Sequence, residues 1–321
     1  MKKKIIILES ARGARLANQL WNFISVYAYC LERQYNCLNL SFFEVKKHKH
    51  KNNVYSYCNY YNFFNIPLSL FIRLLISIHL IIAKICKRIR FYERFISLIR
   101  KLYPEKILYS GDQDPFYLPP SAIDPRQLKQ LANKEKFSKI YLSGWLFRNP
   151  AGLLKYHKEI IEYFRPKLRI QKKVNSFITG LKSKYIHIVG VHIRQGDYKN
   201  EFRHGELYFD EKAVSAILRE YLDNFRKNKN QTCFIICSDE NVKLDYFTDL
   251  NVIKSNFNTI EDLFLLAATD IIIGANSTFG ALAAYFGNIP IIIFQQDKID
   301  WDYYRNKNKY FNNKYITTVN F

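Results

Sequence analysis

An α/β fold built on a parallel, doubly wound sheet is predicted by three features of this sequence. Short apolar runs alternate with helix-period segments over residues 185–295, the pattern of strands joined by crossover helices. Three of those runs end in polar residues, at His192–Asp197, Ser238–Asp239 and Asn276–Thr278, and parallel strands bring such ends to one sheet edge, where open α/β folds bind ligands. The chain's 321 residues, 48% of them hydrophobic, exceed one small domain and supply a sizeable core.

Along the chain, residues 5–8 read as a first strand and 10–15 as a small-residue loop. Residues 21–31 read as a helix carrying Phe23, Ile24, Tyr27, Ala28 and Leu31 at helical spacing. Residues 44–62 are basic and aromatic without a clear period, and read as a loop region. Residues 66–86 are strongly apolar but interrupted by Arg73, His79 and Lys84, and 87–102 repeat that texture with Arg88, Arg90, Arg94 and Arg100. A spanning helix tolerates Arg73 poorly near its middle, so 66–102 reads as a basic amphipathic insertion lying on a membrane surface. Asp112 and Asp114 form a D-x-D pair before Pro115, read as a solvated turn because no buried strand precedes it. Residues 139–145 read as a strand and 149–164 as one helix ending before Pro166. The basic stretch 166–173 is the expected boundary between domains 1–165 and 166–321.

In the second domain, helices are expected over 210–226 and 258–269, the latter opened by Asn258 and Glu261 as a capping box. Strands are expected at 233–237, 252–254, 270–275 and 289–294, with a further helix over 281–286.

The formal charge is +21, from 49 Lys and Arg against 28 Asp and Glu. That excess favours anionic partners. The clusters at 46–51, 84–90 and 167–173 match no nucleic-acid motif, so a phosphate-bearing substrate and an anionic membrane surface rank above nucleic acid. Six cysteines show no C-x-x-C spacing, against a zinc site or a disulfide scaffold. The apolar run at the N-terminus stops at Glu9, too short for a secretory signal. These features point to a cytoplasmic protein, peripheral at the inner face of the membrane.

Chemistry concentrates at the strand ends. An arginine fork stays charged and donates two parallel hydrogen bonds to phosphate oxygens; the bland alternative for Arg194 is a surface salt bridge with Asp197. Asn276, Ser277 and Thr278 at a helix start offer hydroxyls and backbone N–H groups to a phosphate, or a plain N-cap.

In order, Arg15-Leu16-Ala17-Asn18-Gln19-Leu20, Ser143-Gly144-Trp145, His192-Ile193-Arg194-Gln195-Gly196-Asp197-Tyr198, Ile236-Cys237-Ser238-Asp239, Asp262-Leu263 and Asn276-Ser277-Thr278-Phe279 resemble the motifs of the fucosyltransferase superfamily of GT-B fold. The resemblance is closest to glycosyltransferase family 11, the α-1,2-fucosyltransferases, with H-x-R-x-G-D-Y the most specific segment. It implies two Rossmann-like domains facing a cleft, the first on the acceptor side and the second binding the nucleotide sugar. It further implies inverting transfer of fucose from GDP-fucose to a glycan hydroxyl, with no metal and no other cofactor. Carried over, Arg194 would hold the β-phosphate, His192 the ribose or phosphates, and Asp262 the base or ribose. Ser277, Thr278 and Phe279 would cradle the phosphates, with Asp197, Ser238 and Asp239 beside them. Asn18 and Gln19 would close over the sugar from the first domain. Ala17 stands where the family has Gly, and 66–102 is an insertion relative to compact members.

A general base must take the acceptor's proton. Glu201 is placed first, with Glu206, His204 and Asp197 as alternatives. Two other readings keep part of this picture: transfer of another nucleotide-linked deoxysugar, and a non-catalytic basic module binding polysaccharide or membrane.

Overall fold

Parallel strand pairing organises both halves of the computed structural model, which describes residues 3–9, 15–47, 55–88, 101, 106–110, 130–144, 147–199 and 207–306. The chain falls into two units, Met1–Pro166 and Lys167–Val319.

In the first unit, strand β1 (Lys4–Glu9) lies between β2 (Asn36–Asn39) and β6 (Lys139–Gly144), with β5 (Ile107–Ser110) outside β6, all parallel. Helix α1 (Leu16–Arg33) buries Leu20, Trp21, Phe23 and Ile24 and stops where Gln34 turns left-handed at φ 55°. Its polar side chains act as pins. The Asn22 carbonyl accepts from Phe147 N–H at 3.0 Å, and the Gln19 amide donates to the Phe43 carbonyl at 2.9 Å. Phe23 meets Phe42 and Phe164 edge-on at 5.4 and 4.9 Å. The abundant phenylalanines are therefore core material here, where aromatic pairs add ~0.5–1.5 kcal/mol beyond burial.

The expected loop over 44–62 is corrected by the structure. Strands β3 (Phe43–Lys47) and β4 (Tyr55–Asn59) pair antiparallel, and a short 3-10 turn follows over Tyr60–Phe63. Val45, Tyr55 and Tyr57 are strand-favouring types, and the basic stretch between the strands hid their alternation. The single helix expected over 149–164 is in fact two, α3 (Pro150–Lys155) and α4 (His157–Tyr163), broken at Tyr156. Asn149 caps the first by accepting from Gly152 N–H. The apolar segment 66–86 supplies most of helix α2 (Leu70–Arg88). No helix among the described residues is long and apolar enough to cross a membrane.

The second unit begins with helix α5 (Leu168–Lys182), whose first turns carry most of the basic stretch 166–173. Its Ile170, Val174, Ile178 and Leu181 form one buried stripe. Five parallel strands follow: β7 (His187–Ile193), β8 (Thr232–Ser238), β9 (Val252–Lys254), β10 (Ile271–Gly274) and β11 (Ile291–Ile293). Their spatial order is β11-β10-β7-β8-β9. The direction of winding reverses between β7 and β10, as in other doubly wound sheets. Helices α6 (Glu211–Asn224), α7 (Thr259–Ala267) and α8 (Thr278–Gly287) make the crossovers, and helix α9 (Trp301–Arg305) hydrogen-bonds Trp301 to Glu220 of α6. Because both sheet faces are covered, β7, β8 and β10 are buried almost throughout. That burial fixes the register, and the register fixes which strand ends meet.

Candidate active site

At the switch point the register sets His192 of β7 beside Gly274 of β10 and Cys237 of β8. A Cβ on Gly274 would stand 2.7 Å from the His192 carbonyl oxygen, and one on Gly280 would stand 3.3 Å from its Nδ1. Gly274 thus lets the His192 backbone approach β10, and Gly280 leaves room for the imidazole, which is tilted against Phe279 at 5.2 Å. Burial, reinforced by the neighbouring Arg194 charge, lowers its pKa to about 4. His192 is neutral at ordinary pH. Ser277 Oγ lies 3.4 Å from Nδ1 while accepting from Phe279 N–H. Its own proton can then point to Nδ1, which leaves Nε2 as a hydrogen-bond donor.

Two residues on, Arg194 forms a forked pair with Asp197: Nε to Oδ1 at 2.9 Å and Nη2 to Oδ2 at 2.6 Å. Its guanidinium lies 4.5 Å over the Tyr198 ring. Burial opposes the charge, but the Asp197 carboxylate outweighs it and the pKa is raised. The cation is permanent. Its side chain stays 19% exposed, and among the described residues nothing accepts from Nη1. The guanidinium is thus oriented by protein, and among the described residues Nη1 is left for a further acceptor.

The loop around it is tied on two sides. Asp239, just past the end of β8, accepts from Gln195 N–H at 2.9 Å, with Gly196 N–H at 3.5 Å. The Tyr198 hydroxyl donates to the Asn276 carbonyl at 2.8 Å, joining this loop to the one after β10. Ser238 Oγ accepts from Glu240 N–H. Asp239 and Ser238, expected beside the phosphates, thus also have local structural partners.

Asp262, in the first turn of α7, accepts from Ser255 Oγ and, at 3.5 Å, from Cys237 Sγ. Burial raises its pKa to about 6 against the pull of those two bonds. Ser277 caps α8 and is buried, while Thr278 and Phe279 form that helix's first turn, half-buried. The unpaired N–H groups of a helix start favour an anion there.

The second unit thus brings His192, Arg194, Asp197, Asp239, Ser277, Thr278 and Phe279 to the ends of three adjacent strands, with Asp262 beside the end of β8. Asn18 and Gln19 sit on the first turn of α1 in the first unit. Glu201, His204 and Glu206, together with Trp145, Asp112 and Asp114, lie outside the described residues. Among the described residues no three His, Cys, Asp or Glu side chains converge as a metal ion would need. A cavity of about 350 Å³ lined by Tyr208, Asp210, Glu220 and Gln295 lies at the β11 edge and includes none of the expected site residues. Sequence reasoning missed the spacing glycines Gly274 and Gly280, and the bridging role of Tyr198. No pattern in the sequence signals these; they emerge from strand register.

A family model described as Glycosyl transferase family 11 matches residues 132–317. No curated protein matches the chain. Among solved structures, Arabidopsis thaliana FUT1 in complex with GDP is 13% identical, with a TM-score of 0.53 over 93% of this chain and 72% of that one. POFUT1 in complex with GDP-fucose is 11% identical, with a TM-score of 0.52 over 91% and 98%. NodZ alpha-1,6-fucosyltransferase soaked with GDP-fucose is 14% identical, with a TM-score of 0.52 over 94% and 97%. The fold is that of the GT-B fucosyltransferases. With more than half of its length matched, and its Arg194 loop, Asp262 and Asn276–Phe279 segments inside the match, the chain belongs to glycosyl transferase family 11.

Proposed function

We propose that the protein transfers fucose from GDP-fucose to a hydroxyl of a glycan acceptor, with inversion at the anomeric carbon and without a metal. The observation that carries this reading is the permanent Arg194 charge, oriented by Asp197 and Tyr198 beside the N-terminus of α8 at the sheet's switch point. The donor is supported by the GDP-fucose complexes of two proteins sharing the fold, POFUT1 and NodZ. Because NodZ is an alpha-1,6-fucosyltransferase, the fold leaves linkage open; the α-1,2 linkage rests on the resemblance of the motifs.

In this mechanism the acceptor oxygen attacks the anomeric carbon as the bond to the β-phosphate oxygen breaks. The bonding pair leaves on GDP. Positive charge grows on the sugar and negative charge on the diphosphate, where Arg194 and the N–H groups opening α8 stand ready. Neutral His192 contributes a hydrogen bond rather than a proton. Asp262 accepts from the base or ribose, and Glu201 takes the acceptor's proton, with Glu206, His204 and Asp197 the other candidates. We place the enzyme in the cytoplasm, acting in polysaccharide biosynthesis.

Thermal unfolding with GDP, UDP and dTDP, followed by product analysis with GDP-fucose and a galactoside in chelator, tests this reading. Stabilisation by GDP alone, at ~2.7 kcal/mol for ligand at one hundred times its Kd, and fucosylated product are expected. Stabilisation by dTDP instead would assign a different nucleotide sugar, and no stabilisation by any nucleotide would leave a non-catalytic binding module.

A further inference from the structure

Helix α2 is apolar on both sides. Its inner face buries Ile76 and His79, the latter 6.3 Å from the Phe43 ring. Its outer face carries Leu70 and Phe71, exposed by 85% and 68%, then Leu74, Ile78, Ile81 and Ile85, each about half exposed. These six follow helical spacing and make one stripe along a helix of 19 residues, about 28 Å long at 1.5 Å per residue. Elsewhere among the described residues, the large exposed hydrophobics are Leu154, Leu168, Ile186, Leu244 and Tyr246. Scattered apolar side chains are ordinary on a protein surface; a contiguous stripe marks a contact.

Charge identifies what covers it. Residues 66–102 hold eight Lys and Arg against Glu93 alone, within a chain of net charge +21. A second copy seated on the stripe would bring two such segments together and set like charges against each other. A bilayer surface rich in anionic lipid accepts both features, since apolar side chains enter the headgroup boundary while Lys and Arg stay at the phosphates. We propose that α2 is an interfacial helix that seats this protein on an anionic membrane surface, with Leu70, Phe71, Leu74, Ile78, Ile81 and Ile85 entering the lipid. The inner face remains packed on the protein, so the helix lies in the plane of the membrane.

The test is co-sedimentation of the full chain with vesicles of phosphatidylcholine alone, or with phosphatidylglycerol at about one part in three. Binding to the anionic vesicles is expected to exceed binding to neutral ones by about tenfold and to weaken in high salt. The paired variant Leu74→Gln with Ile81→Gln should lose most of it while keeping the wild-type unfolding midpoint. Phe71→Ser, at the most exposed end, gives a milder loss should the pair fold poorly. Absence of binding to anionic vesicles, or variants that bind like the wild type, overturns the proposal. A wild-type dimer in light scattering that Phe71→Ser converts to monomer also overturns it, in favour of self-association. Because neither readout uses nucleotide, the outcome is separate from that of the donor assignment.

Discussion

The two units treat buried polar groups differently. In the second, polar side chains at the sheet edge are partnered: Arg194 with Asp197, Asp239 with the Gln195 amide, Tyr198 with the Asn276 carbonyl, and Ser277 with the Phe279 amide. In the first, Asn18 Oδ1, Asn22 Nδ2, Ser25 Oγ, Asn39 Nδ2 and Asn149 Nδ2 are buried without hydrogen-bond partners among the described residues. A buried polar atom left unpaired costs ~1–3 kcal/mol. The second unit therefore presents its charge already oriented, which is what stabilising a developing anion requires. The first uses polar side chains to hold α1 against its neighbours, as Asn22 does with Phe147 and Gln19 with Phe43. Substitutions on the two sides should accordingly fail in different ways: loss of nucleotide or turnover in one, loss of stability in the other.

The largest expected contrast is at Arg194. Arg194→Ala should lower transfer by ~10²–10³, the usual effect of removing one preorganised donor to a developing anion, with the unfolding midpoint near that of the wild type. Steady-state kinetics beside a melting curve reads both. Asn22→Ala is the opposite case. It strips the acceptor from the buried Phe147 amide and should cost ~1–3 kcal/mol in denaturant unfolding, leaving GDP affinity per folded molecule unchanged. A variant of Asn22 that lost nucleotide binding while keeping stability would erase the distinction between the units.

Asp262 sharpens it through pH. Its pKa is raised to about 6 by burial, so below that pH it is protonated and accepts poorly from a base. GDP affinity should rise with pH up to about 6 and then level off, and Asp262→Asn should weaken binding by about tenfold and flatten the profile. Stability runs the other way. A folded pKa above the unfolded value contributes stability below the unfolded pKa that is lost as pH rises through about 6. His192, with its pKa lowered to about 4, is neutral throughout that window and adds no second step. Calorimetric titrations across pH 5 to 8 would show whether one group or two governs binding.

Tyr198 has the smallest expected effect. Tyr198→Phe keeps the ring under the guanidinium but deletes the bond to Asn276, worth ~1 kcal/mol, so kcat should fall a few-fold with little change in GDP affinity. Tyr198→Ala, which removes the ring as well, should fall further, and the gap between the two variants separates the ring's role from the hydroxyl's.

Much of this architecture is legible in the sequence. The alternation over 185–295 foretells the parallel sheet because buried strands and amphipathic helices have different periods, and three polar strand ends converge at one edge of it. The fork of Arg194 and Asp197 follows from their spacing of three. What cannot be read is lateral. That His192 stands beside Gly274 depends on register, that Tyr198 reaches Asn276 depends on two loops meeting, and that Ser255 and Cys237 both face Asp262 depends on where α7 lands. The β3–β4 hairpin escapes for another reason: its strands are short and flanked by lysines, so composition outweighs period. The exposed stripe of α2 is legible only in part, since the sequence shows apolar residues all round and cannot say which face is covered.

The most direct test of the central claim compares GDP with GMP by titration calorimetry on the wild type and on Arg194→Ala. If Arg194 grips the β-phosphate, the wild type prefers GDP by at least about tenfold, in line with ~1.5–3 kcal/mol for a hydrogen bond to a charged group, and the variant binds the two nucleotides nearly alike. An undiminished preference for GDP in Arg194→Ala would place the diphosphate elsewhere and contradict that claim.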